Sequence, residues 1–450
     1  MLLLILAVLF WGCTDPVDRD IADLIEGGDE AAEARIALNM AKGTAIEPLI
    51  AAFVDEAHPV RARAEFAQAL YRLYLRTEDE RIMTALLAGL EDPEPGVRAA
   101  VVAALGDMGE EVAIGRLLDH LEREDDALVR REVLVALEIM GLDGWSELTG
   151  LIAGEDRVRF TRMLQEIVRE APADTLLDKA LDWLEVLAED VARPADRYVA
   201  EANLQRAEEV LLQALELVPA SKNINQRLGR FYYAHGDSAQ GIAIYRDLGM
   251  VARAVRLPDV PTIDGVLDEF AWSAVAPLTQ FYQCIPKLNV YPAAGRTEIS
   301  VGHVDNSLYL GVKGYELSTA HLVAEHSERD SDVWQDDCIE IFIDADIVER
   351  SYFTFHINSR GAYKDQHART AEGERWNSRL KVATHVAETF WTVELELPLA
   401  DLRDESVAAG EVWGFNVARV RIGNAAEYGQ WVPTYGIAHR PERFGLLVFE

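Results

Sequence analysis

WQDDCIEIFID, residues 334–344, decides how the C-terminal part of this chain must be read. Side chains alternate across a strand, so Ile339, Ile341 and Ile343 share one face and Cys338, Glu340 and Phe342 the other. The next alternating stretch, YFTFHIN at 352–358, turns Phe353, Phe355 and Ile357 inward and leaves Thr354, His356 and Asn358 on the opposite face. Only a short polar loop joins the two, which predicts antiparallel pairing. Glu340, His356 and Asn358 then sit on one sheet face, with Trp334, Asp336 and Asp337 just before it. An aromatic ring beside an acid, an imidazole and an amide suits a sugar. The ring stacks on the apolar C–H face of a pyranose, and the polar groups bond its hydroxyls. The alternative is that Trp334 plugs a loop and the polar row is a solvated sheet face.

Working outward, the alternation continues. RTEISVGHV, a turn at Asp305-Asn306-Ser307 and LYLGVKGY read as a hairpin. Further strands follow at RLKVATHV, WTVELELPL, WGFNVARVRI and FGLLVFE. Short strands separated by turn residues predict an all-β sandwich over residues 255–450. Its start is marked by VRLPDVPTIDG, whose prolines break the helical period that precedes it.

Before that boundary the pattern is helical. VRAAVVAALGDMG from Val97 and VRREVLVALEIMG from Val129 agree in phase, each with Leu at the ninth position, Met at the twelfth and Gly at the thirteenth. VRARAEFAQAL from Val60 is a looser copy, and RIMTALLAGLEDPEPG reads as a first helix ended by Pro and Gly. Paired helices with Asp-Pro in the turn and Val-Arg opening the second helix resemble HEAT repeats, over residues 20–150. A 34-residue period follows in 151–250: Leu177, Leu211 and Tyr245 are spaced by it, as are Ala173, Ala207 and Gly241. AEEVLLQALELVP, with Ala207, Leu211, Ala214 and Pro219, resembles the second helix of a tetratricopeptide repeat. The fold class expected is an all-α helical-repeat solenoid, HEAT-like then tetratricopeptide-like, followed by the sandwich. Helical arrays of this kind offer a docking surface for a protein partner.

Of 450 residues, 77 are acidic and 43 basic, a net charge of −34 that argues against nucleic acid as a partner. MLLLILAVLFWGC is too short to cross a bilayer and has the length of a signal-peptide core. A small residue before a cysteine resembles a bacterial lipobox. That resemblance implies removal of residues 1–12, lipidation of Cys13, and an exported, membrane-anchored lipoprotein in the periplasm or at the cell surface. After Cys13 only Cys284 and Cys338 remain. They could pair in an oxidising compartment or stand as two buried thiols.

IDGVLDEFAWSAVAPL, YLGVKGYE, WQDDCIEIFID, FHINSRGAY, WTVELELPL, GFNV and FGLLVF occur in the order found in the family-nine carbohydrate-binding module, which residues 258–450 resemble. In that family two tryptophans sandwich a terminal sugar, and polar side chains on adjoining strands bond its hydroxyls. The resemblance assigns one of those rings to Trp334, a sugar-bonding acid to Glu340 and a sugar-bonding amide to Asn358. His356 stands where sugar binders carry arginine. The second tryptophan's place reads Ala438-His439, and Trp431 or Tyr435 are the rings nearby that could replace it. Asp336, Asp337, Asp344 and Asp346 offer oxygen ligands for calcium, or are simply exposed loop acids. No GxSxG, HExxH, phosphate loop or Cys-x-x-Cys is present, so no enzyme is expected. The reading is a non-catalytic glycan-binding lipoprotein with scaffolding repeats, serving carbohydrate catabolism. The alternative is a protein–protein scaffold whose sandwich no longer binds sugar.

Overall fold

The computed structural model describes residues 15–141, 152, 154–170, 175–283, 291–371, 373, 375–404 and 406–450. Cys13 and Cys284 lie outside them. The chain forms two compact units, one ending at Asp190 and the other spanning Val191–Glu450.

The first unit is built of helix pairs, among them Ile46–Val54 with Val60–Thr77, Glu80–Gly89 with Pro95–Met108, and Val112–Arg123 with Ala127–Met140. The in-phase apolar positions are what pack: Val97, Val101, Val102 and Leu105 are fully buried, as are Val129, Val133 and Leu134. At Gly106 an added Cβ would lie 2.6 Å from the Cβ of Ala136, so glycine is what lets these two helices touch backbone to backbone. The arginine of the Val-Arg pair has its own task. Arg98 donates to the carbonyls of Asp92 (2.9 Å) and Pro93 (3.1 Å) in the turn before it, and grips Glu124 through two nitrogens at 2.7 and 2.8 Å. One side chain thereby ties its own turn to the end of the next repeat's first helix, and Arg63 of the preceding repeat forms a buried ion pair with Asp92 in that same turn.

The second unit joins the helices Leu204–Leu217, Lys222–His235 and Ser238–Asp247 to the sandwich. Gly241 is again a contact point, where a Cβ would come within 2.6 Å of the Tyr233 nitrogen. Gly249, at φ +73°, reverses the chain after the last helix and feeds it into strand β1 (Val251–Arg256). The β structure therefore starts at Val251, just ahead of the expected boundary at residue 255. Its remaining strands are β2 (Tyr282–Gln283), β3 (Tyr291–Pro292), β4 (Thr297–Val304), β5 (Ser307–Tyr315), β6 (Cys338–Asp344), β7 (Tyr352–Asn358), β8 (Tyr363–Ala368), β9 (Lys381–Val386), β10 (Phe390–Pro398), β11 (Val412–Arg421), β12 (Glu427–Gln430) and β13 (Gly445–Phe449).

One sheet runs β8-β7-β6-β11. The far edge of β11 is shared by β13 along its first half and by β12, then β2 and β3, along its second. The other sheet runs β1-β4-β5-β10-β9. Strand β1 belongs to both: Val251–Ala254 pair in parallel with β13, and Val255–Arg256 in parallel with β4. The hairpin expected around Asp305 is present, with Val304 opposite Ser307 and Asp305 at φ +54° in the tight turn. Ile339, Ile341, Ile343, Phe353, Phe355 and Ile357 all face the core, against Trp391, Val393 and Phe415. Tyr245 and Met250, from the helical side of the expected boundary, belong to the same core.

Candidate functional site

Strands β6 and β7 pair antiparallel in the register that places Glu340 opposite His356 and Cys338 opposite Asn358. Pairing brings the expected polar row together, but the row is closed off from solvent. Every residue of both strands is buried. The face carrying Phe342 and Glu340 is covered by the segment between Trp431 and β13, so Phe342, Tyr352, Ala418, Ala438 and Phe444 form a second, smaller core. Alternation locates the two faces correctly but cannot reveal that a distant loop seals one of them.

Glu340 (5 % exposed) accepts hydrogen bonds from Tyr428 Oη at 2.6 Å and His356 Nδ1 at 3.1 Å. Burial pushes its carboxyl up, but the bonds from His356 and Tyr428, with the charge of His356, outweigh it and hold the group below the usual carboxylate range. Burial and the Glu340 charge raise Tyr428 well above an ordinary phenol. His439 fills the space where the resemblance places a second tryptophan. Its ring stacks on His356 (centroids 5.9 Å apart, planes 18°), meets Phe342 edge-on, and faces the Tyr352 hydroxyl at 3.0 Å. Burial pushes His439 down, favouring the neutral imidazole. Trp431 is not a replacement ring either, because it is buried in the main core against Phe415. Tyr435 is half-buried beneath the guanidinium of Arg443.

Asn358 is fully buried and spends its whole amide on the chain. Its Nδ2 donates to His326 O and Asp336 Oδ2, both at 2.8 Å, and its Oδ1 accepts from the backbone of Arg360 and Ala362. Asp336 accepts further bonds from the nitrogens of Glu325 and His326. Asp337 accepts from Val323 at 2.6 Å and Ile422 at 2.8 Å. Burial raises Asp336, yet these donors together draw it below its ordinary range. The pair behind Trp334 thus ties the end of its turn to the backbone at 323–326 and at Ile422 rather than standing as exposed acid. Trp334 itself sits on that turn, Val333–Gln335, with 51 % of its surface in water.

Of the other acids named for calcium, Asp346 is exposed and accepts from the Val348 nitrogen at 3.2 Å. Asp344 is buried, takes a bond from the Glu349 nitrogen at 3.1 Å, and is pushed up to about 7 by burial and by the neighbouring Asp346. Among the described residues, three carboxylates converge instead at Asp264, Glu269 and Glu394. Glu394 there already accepts from Trp272 Nε1 and from the nitrogens of Asp264 and Gly265. That links the two ends of the IDGxLDExxW stretch to β10. Cys338 is a free, buried thiol raised by desolvation.

A polar group missed in the sequence lies between the sheets. Arg419 and Arg421 both donate to Glu316 at 2.7 Å, and Arg421 also reaches Glu427 at 3.0 Å. The signal was available: in WGFNVARVRI, Arg419 and Arg421 share the parity of the core residues Phe415 and Val417, and a buried guanidinium demands a buried acid.

Residues 263–450 match the family model described as carbohydrate family 9 binding domain-like. Residues 46–138 match the HEAT-repeat model. Among solved structures, a putative carbohydrate-binding protein from Bacteroides uniformis is similar at 18% identity and TM-score 0.37, covering 44% of this chain and 99% of its own. A family 9 carbohydrate-binding module from Caldicellulosiruptor kristjanssonii, in complex with cellotriose, is similar at 16% identity and TM-score 0.34, covering 44% of this chain and 93% of its own. Kap121p bound to Pho4p is similar at 15% identity and TM-score 0.31, covering 52% of this chain and 27% of its own. None of the curated proteins matches the chain. These two matches cover the β sandwich and the helix pairs between residues 46 and 138.

Proposed function

We propose that this is a non-catalytic glycan-binding protein of the cell exterior, anchored through a lipid on Cys13 and serving polysaccharide breakdown carried out by other proteins. The family-nine-like domain holds the sugar, and the helical repeats dock a protein partner. One observation carries the reading: an indole half in water on a turn that runs straight into Asp336 and Asp337, whose carboxylates are anchored to Asn358 and to the backbone nitrogens of Val323, Glu325, His326 and Ile422. An exposed ring on a rigid turn is a stacking platform, since the fold gains little from it and a pyranose face covers it at small entropic cost. Asn358 then acts by positioning that turn. Glu340 and His356 meet a ligand only where the segment carrying His439 moves aside.

Calorimetric titration of the full chain with neutral oligosaccharides tests this. Trp334→Ala should weaken binding roughly tenfold or more, the loss expected for removing about 1–3 kcal/mol of stacking contact, without moving the melting temperature. A chain that binds no glycan, or a Trp334→Ala variant that binds as well as the parent, refutes it. The closed network of Glu340, His356, Tyr428 and His439 favours a second reading, a scaffold whose sandwich has exchanged its sugar for its own side chains. Absence of glycan binding together with retained binding to a protein partner would establish that reading.

A further inference from the structure

Within the second unit, the helices and the sandwich loops enclose a cavity of about 490 Å³. Its lining inverts the charge balance of the chain. Five arginines face it: Arg227 and Arg230 from Lys222–His235, Arg369 just after β8, and Arg440 and Arg443 before β13. Only three carboxylates oppose them, Asp196, Glu349 and Glu442, in a protein whose acids outnumber its bases 77 to 43.

Those three acids are already taken. Glu349 pairs with Arg230, Glu442 with Arg440 at 3.1 Å, and the largely exposed Asp196 with Arg227 at 3.2 Å. Arg369 has no carboxylate partner among the described residues. Its guanidinium rests over the Tyr352 ring and donates to the carbonyls of Glu349 (3.0 Å) and His439 (3.4 Å). Arg227, Arg230 and Arg443 are largely buried, and Leu211 and Phe231 supply apolar wall between the charges. Like charges gathered beside apolar surface repel more strongly than in open water, so the assembly is poised for an anion. Arginine rather than lysine is the suitable cation, because its planar fork matches the oxygens of carboxylate, sulfate and phosphate and it sheds water more readily. The volume falls in the range of small-ligand sites, and the chain's net charge repels long polyanions.

We propose that this cavity binds a small multivalent anion through its carboxylate, sulfate or phosphate oxygens. The site is separate from the Trp334 turn and does not depend on glycan binding there. Thermal melts and titrations of the full chain with sodium sulfate, sodium phosphate and sodium citrate, each against sodium chloride at equal ionic strength, test it. A saturable rise in melting temperature is expected with at least one of the three, and the strongest responder identifies the oxyanion class. Arg369→Gln should weaken that binding roughly tenfold, as loss of a charge-assisted contact does. Glu442→Gln should tighten it by removing a competing carboxylate, a gain that misfolding cannot mimic. Trp334→Ala should leave it unchanged. If none of the three exceeds chloride, or if Arg369→Gln and Glu442→Gln both leave the midpoint where it was, the assignment is overturned.

Discussion

Cutting the chain two residues past the boundary its sequence suggests, so that the whole of β1 is lost, should cost the sandwich its stability. A fragment of residues 257–450 lacks β1, Met250 and Tyr245, whereas residues 191–450 retain them. Tyr245 and Met250 are at most 1 % exposed in the core, and each such side chain is worth about 1.5–3 kcal/mol on burial. The cut also removes the acceptors Met250 O and Ala254 O from the β13 nitrogens of Leu446 and Glu450, at about 0.5–1.5 kcal/mol per bond. Together the loss is about 4–9 kcal/mol against a typical domain stability of about 5–15. Strand β1 is moreover shared by both sheets, so its loss opens an edge on each. Circular dichroism melts of the two fragments measure the difference. At about 2–4 °C per kcal/mol for a domain of this size, the shorter fragment should melt at least about 8 °C lower or fail to fold. Melting temperatures within about 3 °C of one another would refute the shared core.

Two carboxylates should give opposite pH signatures. Glu340 is held below its unfolded pKa, so its contribution is present above that pKa and is lost as pH falls through the folded value. Glu340→Gln should therefore destabilise at neutral pH, by roughly 1.5–3 kcal/mol for charged hydrogen bonds, with the deficit shrinking in acid. Asp344 is raised to about 7, so stability falls as pH climbs from its unfolded value through 7. Asp344→Asn should raise the melting temperature at pH 8 and change it little near pH 4. A melt series across that range showing parallel curves for parent and variants would contradict both assignments. In the helical unit, Gly106→Ala should destabilise by about 1–3 kcal/mol through overpacking on Ala136. Gly115→Ala, where no atom lies within 4 Å of the added Cβ, should instead stabilise the helix by about 0.5–1 kcal/mol. Urea titrations of the two variants check the sign, and a loss of stability in both would mean that close approach is not what Gly106 provides.

Much of this architecture is local, and local order is legible in a sequence. Helix pairs show because each repeat buries the same positions against a neighbour of the same kind, so Val97 and Val129 announce their packing by their spacing. Strands β6 and β7 show because period two is a property of the backbone, and the short loop between them leaves only one way to pair. The pairing of Glu340 with His356 follows from that register alone. What covers those side chains is a different kind of fact. His439 reaches His356 across 83 positions of chain, as the sequence numbering shows, and no periodicity links them. The same holds for Asn358, whose amide is spent on loops the strand pattern does not describe, and for the arginines that meet in one cavity from three separate segments. The sequence by itself determined the faces, the repeats and the residue types, because these arise from backbone geometry and neighbours along the chain. Only the tertiary structure decided that the expected polar row is sealed, that Trp334 remains in water, and that the helix Ser238–Asp247 shares the core of the sandwich through Tyr245, because burial is set by which distant segments come to rest on a surface.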